Sequence, residues 1–398
     1  MLAIWVSFLA LVGLIWLSRH VQVSRGGRSQ TVLHPSLYTH LIERLPRISV
    51  LVAAKDEQDN IGRCARTMLA QDYPDFEMIV IDDRSVDRTA EIIDELASGH
   101  DRLKALHVKE LREGWFGKNN AMREGVERAD GEWLCFSDAD CRYSSPRLLT
   151  VAMRHALAEG VDFLSVLPVL ETHGVWERII QPACGAVLIF WFRPERVNSP
   201  HSADAYANGA FMLIRRDAYE RIGGHEPVKA EVNEDVHMAR LAKQHGLRLT
   251  VVQNRGLYQT RMYTTFVQMW HGWSRIFYGC FGTPVRLVRT LLFLLLFSLS
   301  PWLSAVAGWT AVAARGFDHA GAWLAVALVG TAAAVVQWTV MLRFYRLSQA
   351  GRRYAVTYPL GALICFGMVV EAIRKLLGAR TTWKGTTYRS KQVVKQTS

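Results

Sequence analysis

The chain has 398 residues, of which 50% are hydrophobic, and its formal net charge is +11 at pH 7. A mean hydropathy of +0.07 is high for a fully soluble protein and leaves room for one large soluble domain together with a membrane part. No Lys/Arg-rich block interleaved with aromatic residues stands out in the soluble part, so nucleic acid is not expected as a partner. The six cysteines are scattered without CxxC or Cys/His spacing, which excludes a disulfide framework or a zinc site.

The N-terminal residues 1–17 are apolar and uncharged, and Arg19 and Arg25 follow them. A cleaved signal peptide carries its positive charge before the apolar run rather than after it. The sequence therefore predicts a transmembrane anchor at residues 1–18, with the N-terminus outside and the following domain in the cytosol. Residues 19–46 are polar and contain proline, and they are predicted to form a linker.

From residue 47 onward, short apolar runs alternate with segments of helical periodicity. Strands are predicted at 48–54, 77–81, 103–108 and 132–136, and helices at 61–69, 89–96 and 118–128. Strands and helices that alternate at these lengths indicate an α/β fold with a mostly parallel, covered sheet. Ligands of such sheets bind beyond the carboxyl ends of the strands. We assign the catalytic domain to residues 47–256.

An Asp-x-Asp pattern, Asp138-Ala139-Asp140, follows the last of these predicted strands. Alone the pattern is weak, because exposed acidic turns often contain it by chance. Its place at a strand end favours a site for Mg²⁺ or Mn²⁺, since such an ion keeps several waters and also binds the phosphates of a substrate. A cation held there would neutralise the charge that builds on a diphosphate leaving group.

A second acidic pair, Asp82-Asp83, follows the strand predicted at 77–81. Ser85 and Asp87 precede a predicted helix and are typical capping residues. We therefore predict both roles, with one residue capping the helix while an aspartate faces the cleft. The loop at 114–120 contains glycine and a lysine, Lys118, and opens a helix, which suits phosphate, although many loops share this pattern.

A third acidic pair, Glu234 and Asp235, opens a helix predicted at 236–244. Acidic residues favour a helix N-terminus, so capping alone explains the pair. The functional interpretation makes Asp235 a general base for an acceptor hydroxyl. Upstream, Gly209 and the run 223–225 would let the backbone approach a sugar or an acceptor, although a surface turn explains the glycine pair there equally well.

Aromatic residues recur at intervals of three and four between Tyr263 and Phe281, which places them on one helical face. Core packing explains such a face, but its position before membrane segments favours an amphipathic interfacial region, which we assign to residues 257–285. Three apolar segments long enough to span a bilayer follow, at 290–314, 321–342 and 354–373. They make up a predicted membrane region at 286–373, before a basic tail at 374–398.

The third apolar segment is not predicted to be a simple span. The loop before the second segment is nearly neutral and suits the outside, whereas the loop after it carries four arginines and suits the cytosol. A full crossing by residues 354–373 would then put the basic tail outside. The segment also contains Glu371, and an ionisable residue inside a bilayer is costly unless it is paired. We therefore predict a re-entrant or interfacial segment with a cytosolic tail.

Taken in order, these motifs resemble those of family-2 glycosyltransferases with the GT-A fold. The motifs are 48–57, Asp82-Asp83-Arg84-Ser85, 114–118, Asp138-Ala139-Asp140, Gly223-Gly224-His225 and Asn233-Glu234-Asp235. Each alone is weak, but the ordered set, which covers residues 47–281, is specific. The terminal apolar segments and the stretches at 260–274 and 383–385 resemble membrane enzymes that glycosylate lipids, such as carotenoid, hopanoid and ceramide glycosyltransferases.

The resemblance implies an inverting enzyme that moves a sugar from a nucleotide-sugar donor, expected to be a UDP-sugar, to a lipid acceptor in the bilayer. It implies that Asp235 is the catalytic base and that Asp140 binds Mg²⁺ or Mn²⁺. The residues expected at the donor are Ala53, Glu57, Asp83, Lys118 and Asp138. Those expected at the acceptor or interface are Glu234, His225, Trp273 and Arg275. The protein is expected to be integral to a membrane (the inner membrane if bacterial), with a cytoplasmic catalytic domain.

One departure from the family's patterns bears on the product. Processive polysaccharide synthases carry a Gln-x-x-Arg-Trp pattern in the interfacial region, and the run from Gln268 to Trp273 does not fit it. Transfer of a single sugar is therefore expected, with polymer extension or transfer to a polyprenyl phosphate as alternatives. An alternative of another class is a membrane protein that binds a nucleotide sugar or lipid without turnover. The presence of Asp138, Asp140 and Asp235 argues against it.

Overall fold

The computed structural model describes residues 1–39 and 44–378, apart from the side chains of 24–29, and the backbone of 381–383, 386–389 and 392–396. Two compact units make up the chain. The sheet unit comprises Gln30–Glu171, Phe192–Met262 and Gly378–Ser398, and the helical unit comprises Met1–Ser29, Thr172–Trp191 and Tyr263–Leu377. The predicted tail at 374–398 is thus described only in part, and the side chains beyond residue 378 lie outside the description.

The strands in chain order are β1 Val32–Leu33, β2 Ile48–Ala54, β3 Phe76–Asp83, β4 Leu103–Val108, β5 Trp133–Asp138, β6 Cys141–Tyr143, β7 Phe163–Leu167, β8 Val169–Leu170, β9 Phe211–Arg215, β10 Leu249–Asn254, β11 Tyr258–Thr260, β12 Thr381–Trp383, β13 Thr386–Arg389 and β14 Gln392–Gln396. The helices are α1 Leu2–Ser29, α2 Ile61–Leu69, α3 Thr89–Ser98, α4 Gly117–Val126, α5 Leu148–Glu159, α6 Val175–Trp191, α7 Pro194–Val197, α8 Arg216–Arg221, α9 Glu234–Gln244, α10 Phe266–Phe281, α11 Pro284–Phe293, α12 Ser300–Arg315, α13 Ala322–Leu347 and α14 Tyr358–Leu376. Short 3₁₀ helices lie at Glu226–Val228, Phe317–His319 and Arg352–Thr357, and a π-helical segment, Leu294–Leu299, joins α11 to α12.

The main sheet of the sheet unit has the strand order β1-β10-β7-β9-β5-β2-β3-β4. Its strand pairs are parallel except for those of β9, which runs antiparallel to both β5 and β7. The central strands β2 and β3 are almost entirely buried and rich in Val and Ile, as expected for strands covered on both faces. The predicted α/β fold with a mostly parallel sheet is confirmed.

The register of the central strands brings the acidic motifs to one edge of the sheet. Ala53 pairs with Asp138 of β5, and Ala54 pairs with Asp82 of β3. Because β2, β3 and β5 run parallel, their carboxyl ends meet at this edge. A smaller sheet, β6-β11-β8, stands next to the end of β5.

Most predicted elements of the first half of the domain lie where the sequence places them. The strands predicted at 48–54 and 103–108 coincide with β2 and β4, and the helix predicted at 61–69 coincides with α2. Strands β7, β9 and β10 were not predicted, although a glycine precedes each of them at Gly160, Gly209 and Gly246. The order of the sheet depends on these three strands, so the sequence alone did not define it.

The linker predicted at 19–46 is corrected by the structure in its first part. Residues 19–29 continue helix α1, and Val32–Leu33 forms the edge strand β1 beside β10. Helix propagation adds one hydrogen bond per residue once a helix exists, and no proline interrupts the chain before residue 35. Leu33 is fully buried in the core of the sheet unit, which explains why this polar segment is ordered there.

The helical unit contains four helices that are long and apolar enough to cross a membrane. They are Leu2–Val23, Pro284–Arg315, Ala322–Leu347 and Arg352–Leu376, identified by length and composition. They agree with the apolar segments predicted from the sequence.

Helix α10, predicted as an amphipathic interfacial helix, buries part of its aromatic face inside this unit. Trp273 and Phe277 are buried, while Gln268 and His271 are exposed. Core packing, one of the two explanations considered for the aromatic face, therefore holds for its buried residues.

Candidate active site

Lys118 lies between two carboxylates at the edge of the sheet unit. Its Nζ is 2.6 Å from Asp138 Oδ1 and 2.8 Å from Glu234 Oε1. Asp138 ends β5 and Glu234 begins α9, so the two ion pairs join a strand end to a helix start. Burial works to lower the pKa of Lys118, but Asp138 and Glu234 outweigh it and hold that pKa well above its usual value. The side chain is therefore a fixed cation.

The start of α4, which carries Lys118, is held by the loop that leads to α9. The N–H of Phe116 donates to a carbonyl of this loop at 2.7 Å. Asn119 is fully buried, and its Nδ2 donates to the carbonyl of Val228 at 2.8 Å and to that of Glu231 at 2.9 Å. Leaving such buried carbonyls unpaired would cost roughly 1–3 kcal/mol each. Asn119 thus fixes the approach to α9 relative to Lys118.

Asp235 follows Glu234 in the first turn of α9 and is held by backbone amides. Its Oδ2 accepts from the N–H of Gly209 at 2.8 Å, and its Oδ1 accepts from the N–H of Val236 at 2.7 Å. A Cβ at Gly209 would lie 3.0 Å from Lys118 Nζ and 3.5 Å from Asp235 Oδ2, so the glycine allows the backbone to approach both groups. Burial, and then the charge of Glu234, raises the pKa of Asp235 to about 7. A carboxyl group with a pKa near neutrality is suited to act as a general base.

Asp140 lies in the turn between β5 and β6, among other acidic groups. Burial, and then the charges of Asp138 and Glu57, raises the pKa of Asp140 to about 7. Glu57 sits in the loop after β2, where its Oε2 accepts from Asn60 Nδ2 at 2.8 Å. Repulsion among these carboxylates favours a cation near Asp140.

The donor set fits a divalent cation that takes part of its coordination from elsewhere. Within residues 1–39 and 44–378, no three or more His, Cys, Asp or Glu side chains converge as a metal site. Mg²⁺ is commonly bound through one or two carboxylates together with waters and substrate phosphates, and Asp138 and Asp140 match that requirement. Asp138 already pairs with the ammonium group of Lys118, so of the two carboxylates Asp140 would gain more from a bound metal cation.

Asp83 ends β3 and faces the start of α4. Arg84 Nε donates to its Oδ1 at 2.8 Å, whereas Oδ2 is buried and has no hydrogen-bond partner among the described residues. Burial raises the pKa of Asp83 against the opposing effect of Arg84. A Cβ at Gly117 would lie only 2.5 Å from Oδ2, so glycine is what admits the carboxylate here.

The N-cap residue of α3 is Arg88, which makes no side-chain capping bond, and one residue earlier Asp87 Oδ1 accepts from the N–H of Thr89 at 2.9 Å. Asp82 Oδ1 accepts from the N–H of Ser85 at 3.3 Å and so shapes the turn after β3. Asp82 and Asp87 thus make the local contacts of the turn before α3, and Asp83 is the aspartate that faces α4. Ala53 is half-buried at the end of β2, directly opposite Asp138.

The predicted acceptor residue His225 is not exposed at the site. Gly223 and Gly224, both with positive φ, form a turn that directs His225 into the core. There its Nδ1 lies 2.7 Å from Tyr219 Oη, and its ring lies 5.1 Å from that of Phe136. Burial lowers the pKa of His225 to about 3, so the ring is neutral. The prediction of direct acceptor contact does not agree with this burial. His225 instead packs against Phe136 of β5 inside the core.

The remaining predicted acceptor residues divide between the two units. Glu234 is brought to Lys118 in the sheet unit, whereas Trp273 and Arg275 belong to α10 of the helical unit. Trp273 is buried, and its Nε1 has no hydrogen-bond partner among the described residues. The acceptor role of Trp273 and Arg275 stays a prediction.

Two contributors to the site were not identified from the sequence. Asn119 and Gly117 stand in the run that the sequence pattern assigned to phosphate. In the structure Asn119 instead donates to the loop before α9. Gly117 leaves room for the carboxylate of Asp83. The glycine at a helix start was a usable signal for a close approach. Nothing local indicates the contacts of Asn119, because its partners follow more than a hundred residues later.

Comparison with known families gives matches over most of the chain. The family described as "Glycosyl transferase family 2" matches residues 49–223. The family described as "Glycosyl transferase family group 2" matches residues 138–345, which is more than half of the chain.

Among its relatives, the chain is 29% identical over 240 residues to the beta-monoglucosyldiacylglycerol synthase of Trichormus variabilis, covering 58% of this chain and 48% of that protein. It is 23% identical over 261 residues to the 4,4'-diaponeurosporenoate glycosyltransferase of Staphylococcus aureus, covering 64% of this chain and 67% of that protein. The chain thus spans about half the length of the synthase.

A solved structure has a similar fold. It is the mannosyltransferase PcManGT from Pyrobaculum calidifontis in complex with GDP-Man and Mn²⁺, with a TM-score of 0.51 at 18% identity, and the match covers 93% of this chain and 99% of that one. At this level of identity the likeness is one of fold, and it agrees with the predicted GT-A fold.

Proposed function

The chain belongs to the family-2 glycosyltransferases, and from that premise we propose that it moves a single sugar from a nucleotide-sugar donor to a hydroxyl of a membrane lipid, with inversion at the anomeric carbon. The observation that carries the proposal is the placement of Asp235. Its carboxyl group is anchored by the Gly209 amide at 2.8 Å and lies in one cluster with Lys118 and Asp138. The residue proposed as the base and the residues proposed to bind the donor thus lie side by side.

In this mechanism Asp235 takes the proton of the acceptor hydroxyl. As the proton moves to the carboxylate, the acceptor oxygen forms its bond to the anomeric carbon, and the bond from that carbon to the diphosphate oxygen breaks. The nucleoside diphosphate leaves with the electron pair of the broken bond. General bases typically contribute about 10²–10⁴-fold to rate. The pKa of about 7 suits Asp235 to this task near neutral pH.

On the donor side, Asp83 would accept an N–H of the nucleobase through its unpaired Oδ2. Lys118 would orient Asp138 and add positive charge near the diphosphate. Asp138 and Asp140 would hold Mg²⁺ or Mn²⁺, which when bound neutralises charge on the leaving diphosphate. A UDP-sugar is the donor that we propose.

The lipid acceptor is proposed from two kinds of support. Relatives named for transfer to a diacylglycerol lipid and to a carotenoid acid are similar to this chain over more than half of its length. Four helices of the helical unit are long and apolar enough to cross a membrane. The missing Gln-x-x-Arg-Trp pattern favours transfer of one sugar over polymer extension.

We also propose that the sheet unit faces the cytosol, because the loop between the second and third candidate spans is nearly neutral and the following loop is basic.

The test uses the whole protein in lipid nanodiscs with a panel of UDP- and GDP-sugars and a bacterial lipid extract, and detects products by mass spectrometry. A lipid that gains the mass of one hexose supports the proposal, whereas donor hydrolysis alone or a ladder of added sugars contradicts it. Asp235→Asn is expected to lower kcat by about 10²–10⁴-fold while donor affinity stays near normal. The control variant Glu220→Gln, which changes an exposed acid of the same unit, is expected to be unaffected. Loss of donor affinity in Asp235→Asn would instead make Asp235 a nucleotide or metal contact.

A further inference from the structure

The helical unit carries all of the chain's net positive charge. It contains 14 Lys or Arg residues and three Asp or Glu residues, so its formal net charge is +11, the same as that of the whole chain. Lys and Arg are generally enriched in the cytosolic loops of membrane proteins, and this enrichment requires no particular arrangement of the side chains. Two arginines of the helical unit are nevertheless arranged around one tyrosine.

Arg178 of α6 and Arg353, which precedes α14, both reach Tyr354. Arg178 Nη1 donates to Tyr354 Oη at 2.7 Å, and its guanidinium carbon lies 5.0 Å from the centroid of the tyrosine ring. The guanidinium carbon of Arg353 lies 5.1 Å from the same centroid. The two cations are therefore at most about 10 Å apart. They come from separate parts of the chain, so the folding of the unit brings them together.

The three acidic residues of the helical unit do not neutralise this pair of arginines. Glu371 pairs with an arginine of its own helix at 3.0 Å. Glu177 is fully buried and accepts from two backbone N–H groups. Asp318 lies in the turn before α13, at the opposite end of that helix from the loop that leads to Arg353. Two guanidinium groups that lack a carboxylate partner favour an anion between them, and their planar N–H groups match a phosphate.

An exposed apolar stripe of α14 and the turn before it begins at Arg353. Val356, Leu360 and Leu363 are 58%, 44% and 55% exposed. They follow Arg353 at intervals of three and four, which places the arginine and the three apolar residues on one helical face. This face belongs to the candidate span Arg352–Leu376. A cation at the end of an apolar stripe suits a molecule with an anionic head and hydrocarbon chains.

We propose that Arg178 and Arg353 bind the phosphate group of one anionic phospholipid, whose acyl chains lie along Val356, Leu360 and Leu363. Basic pockets between the ends of membrane helices bind anionic headgroups in this way. A zwitterionic phospholipid would bring a further cationic group towards the two arginines, so a headgroup with net negative charge is preferred. Inorganic phosphate shares the charge of the headgroup but would leave the apolar stripe unused. The site would hold this lipid in addition to the donor and acceptor of the proposed transfer.

The experiment measures lipid binding to the whole protein in a nonionic detergent. The protein is titrated with phosphatidylglycerol, or with phosphatidylcholine of the same acyl chains, and native mass spectrometry counts the lipids bound. We expect one phosphatidylglycerol to bind more tightly than phosphatidylcholine. Arg178→Gln and Arg353→Gln should each weaken phosphatidylglycerol binding by about fivefold or more, as expected for the loss of one basic side chain beside an anionic lipid. The control Arg346→Gln, which removes an exposed arginine at the end of α13, should leave that binding unchanged.

Equal binding of the two lipids, or the same loss in Arg346→Gln as in Arg353→Gln, would overturn the proposal, because overall charge would then explain the attraction. Excess inorganic phosphate should leave phosphatidylglycerol bound, whereas displacement would make this a site for free phosphate and would also contradict the proposal. Arg178 donates to the carbonyl of Thr172 at 3.1 Å as well, so the exposed position Arg353→Gln keeps the test decisive if Arg178→Gln does not fold. The measurement needs no sugar donor or turnover and is independent of the proposed transferase activity.

Discussion

Nζ of Lys118 lies 2.8 Å from Oε1 of Glu234, and this ion pair ties the start of α4 to the first turn of α9. Since Lys118 also pairs with Asp138, one ammonium group connects the proposed donor side of the site with the proposed base at Asp235. A change in the charge of Asp138 therefore alters, through Lys118, the ion pair of Glu234, the residue before the proposed base Asp235.

Replacement of Lys118 by methionine is expected to weaken both stability and donor binding. The side chain of Glu234 is only 4% exposed, so the variant leaves a buried carboxylate without its partner. Losing one member of a buried pair typically costs about 3–5 kcal/mol of the free energy of unfolding. Thermal unfolding in detergent and the KM for the donor measure the two effects.

A double variant separates the two roles of Lys118. Lys118→Met with Glu234→Gln removes the unpaired charge, so we expect it to recover most of the lost melting temperature but not the donor affinity. If donor affinity returned together with stability, Lys118 would have only a structural role.

The acid limb of the kcat–pH profile is expected near pH 7. Asp235 must be ionised to accept a proton, and its pKa is raised to about 7, so kcat rises with pH through that value and levels off above it. The profile is measured at saturating donor, acceptor and divalent cation. Glu234→Gln removes one cause of the raised pKa and is expected to move the limb to lower pH. A limb that stays in place in this variant would assign it to another group.

The sequence located the acidic motifs well because each follows a strand with a strong apolar pattern. The ends of β3 and β5 could be predicted from Asp83 and Asp138, and parallel pairing then brings them to one edge. The sequence did not indicate that β9 lies antiparallel between β5 and β7, nor that Gly209, just before β9, reaches Asp235. Contacts of this kind depend on strand order, which local periodicity does not encode. The burial of His225 likewise follows from a turn whose direction only the fold determines.

Gly117→Ala is expected to reduce donor affinity without a large loss of stability. The new Cβ would lie 2.5 Å from Asp83 Oδ2 and would force the carboxylate out of its place. Loss of one hydrogen bond to a charged acceptor corresponds to roughly 1.5–3 kcal/mol, so we expect the donor KM to rise at least tenfold. Gly185→Ala, where a Cβ meets no atom within 4 Å, is the matched control. Combined with Asp83→Ala, the Gly117 change should have no further effect, and additive losses would contradict the proposed contact.

Removal of divalent cations is expected to abolish turnover. Burial, and then the charges of Asp138 and Glu57, raises the pKa of Asp140, and a bound cation would offset all three effects. Excess EDTA should stop sugar transfer, and Mg²⁺ or Mn²⁺ should restore it. Asp140→Asn should lower kcat by orders of magnitude at any cation concentration, whereas Asp130→Asn, an exposed acid of the same unit, should not. Full activity in EDTA would exclude a metal-dependent mechanism.

The last apolar helix is expected to return its C-terminal end to the cytosolic side. If the first anchor places the sheet unit in the cytosol, Pro284–Arg315 leads outward and Ala322–Leu347 leads back, so a crossing by Arg352–Leu376 would put the tail outside. Yet the strands β12–β14 of the tail fall within the sheet unit. Glu371 also pairs with Arg374 at 3.0 Å, as suits a position near the interface. Single cysteines at Asp318 and Ser398 are treated with a membrane-impermeant maleimide. We expect Asp318→Cys to react in intact cells and Ser398→Cys only after permeabilisation, whereas labelling of both in intact cells would establish a complete fourth crossing.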